Sequence, residues 1–148
     1  MWRSSLQRSQ LAIAALAAIV LSACAPVSSG GEAVQIDLID FGISAEPAVV
    51  AAGSIDLAIA NDGQIVHEVE IFGGAFPDQE LEISNSVADT TGLDLIDEVE
   101  DVLPSTTARL TVELEPGTYL VICNLPGHYA QGMSTSITVE PEGATTQP

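Results

Sequence analysis

Beyond residue 33 the chain alternates apolar and polar residues in short runs, the period of strands with one buried face. Val34 to Asp40 sets Val, Ile and Leu against polar neighbours. Ile55 to Asn61 places Ile55, Leu57 and Ile59 on one face, and Pro47 and Gly53 supply turns between the two runs. His67 to Phe72 puts His67, Val69 and Ile71 on the apolar side and Glu68 and Glu70 on the other, so His67 is expected to point inward. Arg109 to Glu115 turns Leu110, Val112 and Leu114 inward. Pro116-Gly117 then makes a turn, and Thr118 to Cys123 returns as the hairpin partner with Tyr119, Val121 and Cys123 on one face. Met133 to Glu140 closes the series with Ile137 and Val139.

One stretch breaks the rhythm. Gly73 to Pro104 is rich in acids, and within it Leu93 to Leu103 places Ile96, Val99 and Leu103 at helical spacing, which predicts a short amphipathic helix on a long connection. Several short strands, frequent turn signals and one interposed helix predict an all-β fold, an antiparallel or mixed β-sandwich of Greek-key type.

The N-terminus reads differently. Arg3 and Arg8 precede an apolar run from Leu11 to Leu21; a bilayer span takes about 20 apolar residues, so this run suits an export signal instead. The segment ends Leu21-Ser22-Ala23-Cys24, which resembles a bacterial lipobox, where a cysteine behind small residues is diacylated and becomes the mature N-terminus. Cys24 is then a lipid anchor to the membrane; the alternative is an ordinary signal peptide cut near Ala23. The expected organisation is a lipoprotein signal peptide over 1–23, a lipidated N-terminus and flexible tether over 24–33, one domain over 34–140 and a disordered tail over 141–148. Pairing Cys24 with Cys123 would consume the anchor, so no disulfide is expected.

Composition sharpens the picture at one place. Both histidines, the only cysteine beyond Cys24 and the only methionine beyond the initiator fall into one pattern: His67, then Cys123-Asn124-Leu125-Pro126-Gly127-His128-Tyr129-Ala130-Gln131-Gly132-Met133. A thiolate, two imidazoles and a weak thioether suit one copper ion cycling between Cu(I) and Cu(II), because soft sulfur favours the reduced ion and imidazole accepts both. Taken singly, His67 reads as a hydrogen-bonded core histidine, Cys123 as a small buried hydrophobe and Met133 as a gap filler; the conjunction favours metal. Zinc also accepts Cys and His, but a structural zinc site takes four strong ligands and gains little from a thioether.

The Cys-x4-His-x4-Met loop with Pro126-Gly127 before the histidine, the upstream Asn61-Asp62-Gly63-x3-His67 segment and the Glu115-Pro116-Gly117-Thr118-Tyr119 run together resemble the cupredoxins, with a ligand loop similar to those of rusticyanin, auracyanin and azurin. The resemblance spans Phe41 to Glu140. It implies an eight-stranded or similar sandwich with a type 1 copper at one end, held by His67, Cys123 and His128 as strong ligands and Met133 as a long axial one. Glu68 stands where many members carry Asn or Ser to tie the two ligand-bearing segments; backbone N–H groups of Glu68 and Leu125 are expected to reach the Cys123 sulfur. Val66 replaces the glycine of azurin-like sites, so four ligands are expected without a fifth carbonyl.

All 21 acidic residues lie beyond Cys24, where Arg109 is the only basic residue. Nucleic acid and anionic lipid are poor partners for such a chain. The acids either steer a basic redox protein, such as a cytochrome or oxidase, toward the site or serve only to solubilise. Leu125, Pro126, Tyr129 and Ala130 form a candidate docking patch around His128, with ordinary loop packing as the alternative. The leading expectation is a monomeric, membrane-tethered electron carrier, not an enzyme, exported to the outer face of the cytoplasmic membrane or the periplasm. The alternatives are a copper-handling protein, disfavoured by the lack of further Met and His, and a non-redox module retaining the fold.

Overall fold

The computed structural model describes residues 31–74 and 80–143; the expected signal segment, Cys24, most of the tether and residues 144–148 of the tail lie outside them. Two mixed sheets face each other. In the first, β1 (Glu32–Ile39) pairs antiparallel with β2 (Gly42–Glu46) and parallel with β4 (Gly53–Asn61), and β4 pairs antiparallel with β9 (Thr107–Leu114), giving the order β2-β1-β4-β9. In the second, β3 (Val49–Ala51), β11 (Ser134–Glu140), β10 (Gly117–Ile122), β5 (His67–Gly73) and β8 (Asp94–Val102) follow in that order, with only the β3–β11 pair parallel. A separate ribbon joins β6 (Ile83–Ser84) to β7 (Val87–Ala88). The all-β sandwich expected from alternation is the fold observed.

The inward residues are the ones that the alternation marks. Ile36, Ile55, Ile59, Val69, Ile71, Val121 and Ile137 are wholly buried and join one core between the sheets. β1 begins at Glu32, before the strand expected over 34–40. A smaller apolar cluster of Phe72, Leu120 and Ile122 covers the outer face of the second sheet, beneath the 81–93 stretch.

The helix expected over 93–103 is a strand, and among the described residues the one helical piece is a single 3-10 turn at Tyr129–Gln131. The error has a physical cause. β8 pairs with β5 through His67↔Val102, Val69↔Val99, Ile71↔Asp97 and Phe72↔Leu95, with register shifts between His67 and Val69 and between Ile71 and Phe72. Each shift is a bulge that inserts an extra residue into β8. Ile96, Val99 and Val102, which face the core, are thereby spaced three apart, and that spacing imitates a helix; Leu103, expected as the third inward residue, is exposed instead. Asp101, at φ 53, takes up the first bulge.

The β4 end that leads to His67 is organised by one buried side chain. Asn61 is wholly buried; its Nδ2 donates to the carbonyls of Ile65 and Val102, each at 2.8 Å, and its Oδ1 accepts from Gly63 N–H at 2.9 Å. Its backbone also donates to Thr106 and accepts from Ser105. Gly63 passes so close to Asp40 that a Cβ would collide with the Asp40 backbone and carboxylate. Asn61→Ala strands the carbonyls of Val102 and Ile65, and an unsatisfied buried group costs about 1–3 kcal/mol. We expect a loss of roughly 3 kcal/mol in chemical unfolding, with an unchanged denaturant slope.

Candidate metal centre

Hairpin register brings the first and last residues of the ligand loop together. The β10–β11 ladder runs to Ile122↔Ser134, and one further bond, from Cys123 N–H to the Met133 carbonyl at 3.1 Å, makes Cys123 and Met133 cross-strand neighbours, both wholly buried. Between them the loop folds back on itself. His128 N–H donates to the Leu125 carbonyl at 2.9 Å, and the His128 carbonyl accepts from Gln131 at 3.1 Å and Met133 at 3.3 Å. Gly127 and Gly132, at φ 87 and 107, make the left-handed turns that this path requires.

His67, at the start of β5, completes the cluster from the neighbouring strand. Its Nδ1 lies 3.2 Å from Nδ1 of His128, and the Cys123 Sγ lies 3.8 Å from the first and 3.2 Å from the second. Bond lengths of about 2.0 Å to nitrogen and about 2.3 Å to sulfur would set donors roughly 3.2–3.8 Å apart around one ion. The triangle therefore fits a single metal. A thiol, two imidazoles and the thioether of Met133, buried beside Cys123 in the same core, are a donor set that suits copper.

The electrostatics agree with metal binding. Burial, with His128 nearby, pulls the His67 pKa below 6.5 against the opposing pull of Asp40, and burial lowers that of His128; both shifts favour the neutral ring that a metal ligand requires. Burial pushes the Cys123 thiol up; N–H groups of Glu68 and Leu125 act against the rise, while the Glu68 and Glu70 carboxylates add to it. A cation at the cluster is what would drive this proton off. The outer nitrogen of His67, Nε2, is buried without a hydrogen-bond partner; Asp40 Oδ1 stands 3.9 Å away and instead accepts Gln64 N–H at 2.7 Å.

Glu68 holds the Cys123 segment twice. Its N–H approaches the Cys123 sulfur at 3.5 Å, and its carboxylate accepts Asn124 N–H at 3.1 Å. An acid thus supplies the tie between ligand-bearing segments for which Asn or Ser is usual in the resemblance. Of the candidate docking residues, Pro126 and Ala130 are exposed, whereas Leu125 and Tyr129 are half-buried: Leu125 packs on the main core and Tyr129 on the outer cluster, its hydroxyl accepting Leu81 N–H at 2.9 Å. Sequence reasoning missed Phe41, 41% exposed at φ 63, whose ring meets His128 edge-on at 5.5 Å; Val66, noted in the sequence only for replacing a glycine, is exposed next to His67. An aromatic in the Asp40-Phe41-Gly42 turn was the available signal for Phe41.

Glu68 and Glu70 carry raised pKa values, chiefly through burial, with neighbouring carboxylates adding to it. In the native state they hold protons that the unfolded chain releases, so stability from this source is full below 4.5 and is lost as pH rises through the raised values. His67 and His128, both lowered, act oppositely, losing their contribution as pH falls below 6.5 through their folded values. Glu70, with one carboxylate oxygen buried and unpartnered, isolates the first effect. Glu70→Gln is expected to raise the melting temperature of the metal-free protein at pH 7 by a few degrees, and the gain should vanish by pH 4, as thermal unfolding at both pH values would show.

No protein-family model matches the chain, and no curated protein matches it. Solved structures do. Dithionite-reduced auracyanin from Roseiflexus castenholzii aligns at 21% identity over 75% of this chain and 98% of its own, with a TM-score of 0.57. Auracyanin A, a "blue" copper protein from Chloroflexus aurantiacus, aligns at 20% identity over 73% and 99%, with a TM-score of 0.51. Rusticyanin from Thiobacillus ferrooxidans aligns at 19% over 74% and 79%, also at 0.51. The architecture implied by the ligand loop is thus the one the chain adopts: it has the cupredoxin fold, with His67, Cys123 and His128 clustered and Met133 held beside Cys123 by a backbone bond.

Proposed function

We propose that this protein is a one-electron carrier with a single type 1 copper, exported and tethered through Cys24 to the outer face of the cytoplasmic membrane or held in the periplasm. The observation that carries the reading is the buried convergence of the His67, Cys123 and His128 donors at ion-binding separations within a cupredoxin fold. Copper bound there supplies a Cu(II)/Cu(I) couple. The chain's own residues do the rest. Both sheets and the stitched 123–133 loop hold the donors at fixed separations, which keeps rearrangement small when the charge changes. Met133, buried beside Cys123, would supply a fourth ligand from a side chain, which would leave no position for substrate, as suits a carrier rather than an enzyme.

His128 has its Nδ1 among the donors while the residue stays partly exposed, so its ring is the path outward. Phe41 meets that ring edge-on, the exposed Pro126 and Ala130 of the same loop and Val66 next to His67 add apolar surface, and the exposed Glu98, Glu100 and Asp101 of β8 bring negative charge to bear on Glu68. Such a face suits a redox protein with an apolar centre and a basic rim, met by a monomer of this chain.

Titration with Cu(II) is expected to raise an intense thiolate-to-copper band that saturates at one copper, disappears with ascorbate and returns on reoxidation. Cys123→Ser should abolish it. A weak, exchangeable signal, or tighter colourless binding of zinc, would refute the carrier reading. Electron transfer to a basic cytochrome should slow steeply as salt is added, whereas an acidic cytochrome should show no such loss; equal behaviour of the two would leave the acids with solubility alone.

A further inference from the structure

The β6–β7 ribbon plays no part in the proposed electron path, yet it is fastened to the ligand loop. Its strands pair only with each other, across a turn whose central residues Asn85 and Ser86 have φ 52 and 70, the signs of a type I′ turn. Two-residue strands cannot sustain themselves, so the ribbon depends on what it touches. In such a hairpin Ser84 and Val87 close the turn, and Asp89 N–H bonds the Glu82 carbonyl at 2.7 Å. The intervening pair, Ile83 and Ala88, therefore turns its backbone groups outward.

One side chain takes both outward groups of Ala88. Asn124 Oδ1 accepts Ala88 N–H at 2.7 Å, and Asn124 Nδ2 donates to the Ala88 carbonyl at 3.3 Å. The amide occupies the place of a third strand, a role that needs one donor and one acceptor on the same short side chain. Two further bonds run alongside: Gly127 N–H to the Ser86 carbonyl at 2.7 Å, and Leu81 N–H to the Tyr129 hydroxyl at 2.9 Å. With its own N–H held by Glu68, Asn124 joins β5, the ribbon and the ligand loop.

We propose that residues 81–89 are an external clasp on the ligand loop and that Asn124 is its positioning residue, fixing the backbone between Cys123 and His128 so that their donors keep one separation in both oxidation states. The redox part rests on the copper reading above; the clasp belongs equally to the metal-free chain.

Amide hydrogen exchange on the full chain, metal-free and copper-loaded, tests it. In Asn124→Ala the Ala88, Gly127 and His128 amides should exchange about tenfold faster or more, the loss expected when two hydrogen bonds go, while Ile36, Leu57 and Val112 keep their wild-type rates. Asn124→Asp should behave alike, since it loses the donor and adds charge beside Glu68. The milder Tyr129→Phe, which keeps the test open if Asn124 variants fail to fold, should free Leu81 and Gly127. Copper-loaded Asn124→Ala should release copper to a chelator several-fold faster and show a displaced reduction potential. Unchanged exchange at Ala88 and Gly127, or equal acceleration in the core, overturns the clasp. Faster exchange with unaltered copper release and potential overturns the positioning role. If wild-type protein takes up no copper, the copper reading fails, and exchange in the metal-free chain decides the clasp alone.

Discussion

The backbone bond from Cys123 to the Met133 carbonyl is the constraint on which the rest of the site depends. It prolongs a ladder already fixed by Tyr119↔Ile137 and its neighbours, so the thiol and the thioether inherit their places from sheet register. Register is strongly specified wherever one face is buried, because a slip of one residue would turn Tyr119, Val121 and Cys123 out to the opposite face. The core beneath the site therefore sets where the thiol and the thioether stand.

A price is visible on the other side of β5. Glu68 and Glu70 alternate with His67, Val69 and Ile71 and so must point away from the main core, where the 81–93 stretch and its apolar cluster leave them half-buried. Glu68 recovers part of the cost by accepting Asn124 N–H, whereas one oxygen of Glu70 finds no partner. Both carboxylates also disfavour a free thiolate at Cys123. The same charges would favour a cation at the cluster, so an arrangement that strains the metal-free protein suits the loaded one.

Much of this was legible in the sequence, for a definite reason. Alternation marked β1, β4, β5, β9, β10 and β11 because each has one face in the common core, and the rarity of His, Cys and Met isolated the ligand set before any contact was known. β2 and β3 were not foreseen: they are short edge strands in which few residues are buried, so they carry little pattern. β8 was misread because its bulges reset the spacing of inward residues. The parts of the site that escaped, Asn124 on Ala88 and Phe41 on His128, join residues far apart in the chain through amide geometry or ring contact, which leave no period behind. For Leu125 and Tyr129 the sequence left docking patch and loop packing both open, since a loop carries no period to separate them; each has core to cover.

The bulged β8 has a bearing on how copies of the protein meet. It is the outer strand of its sheet, and an outer strand ordinarily offers its free backbone groups to any passing chain. Here the row of groups is broken by two register shifts and lined by Asp94, Asp97, Glu98, Glu100 and Asp101. A second copy approaching edge to edge finds no continuous ladder and a matching line of negative charge. Molecules crowded side by side would thus be kept from zipping into a shared sheet by the very irregularity that disguised this strand as a helix.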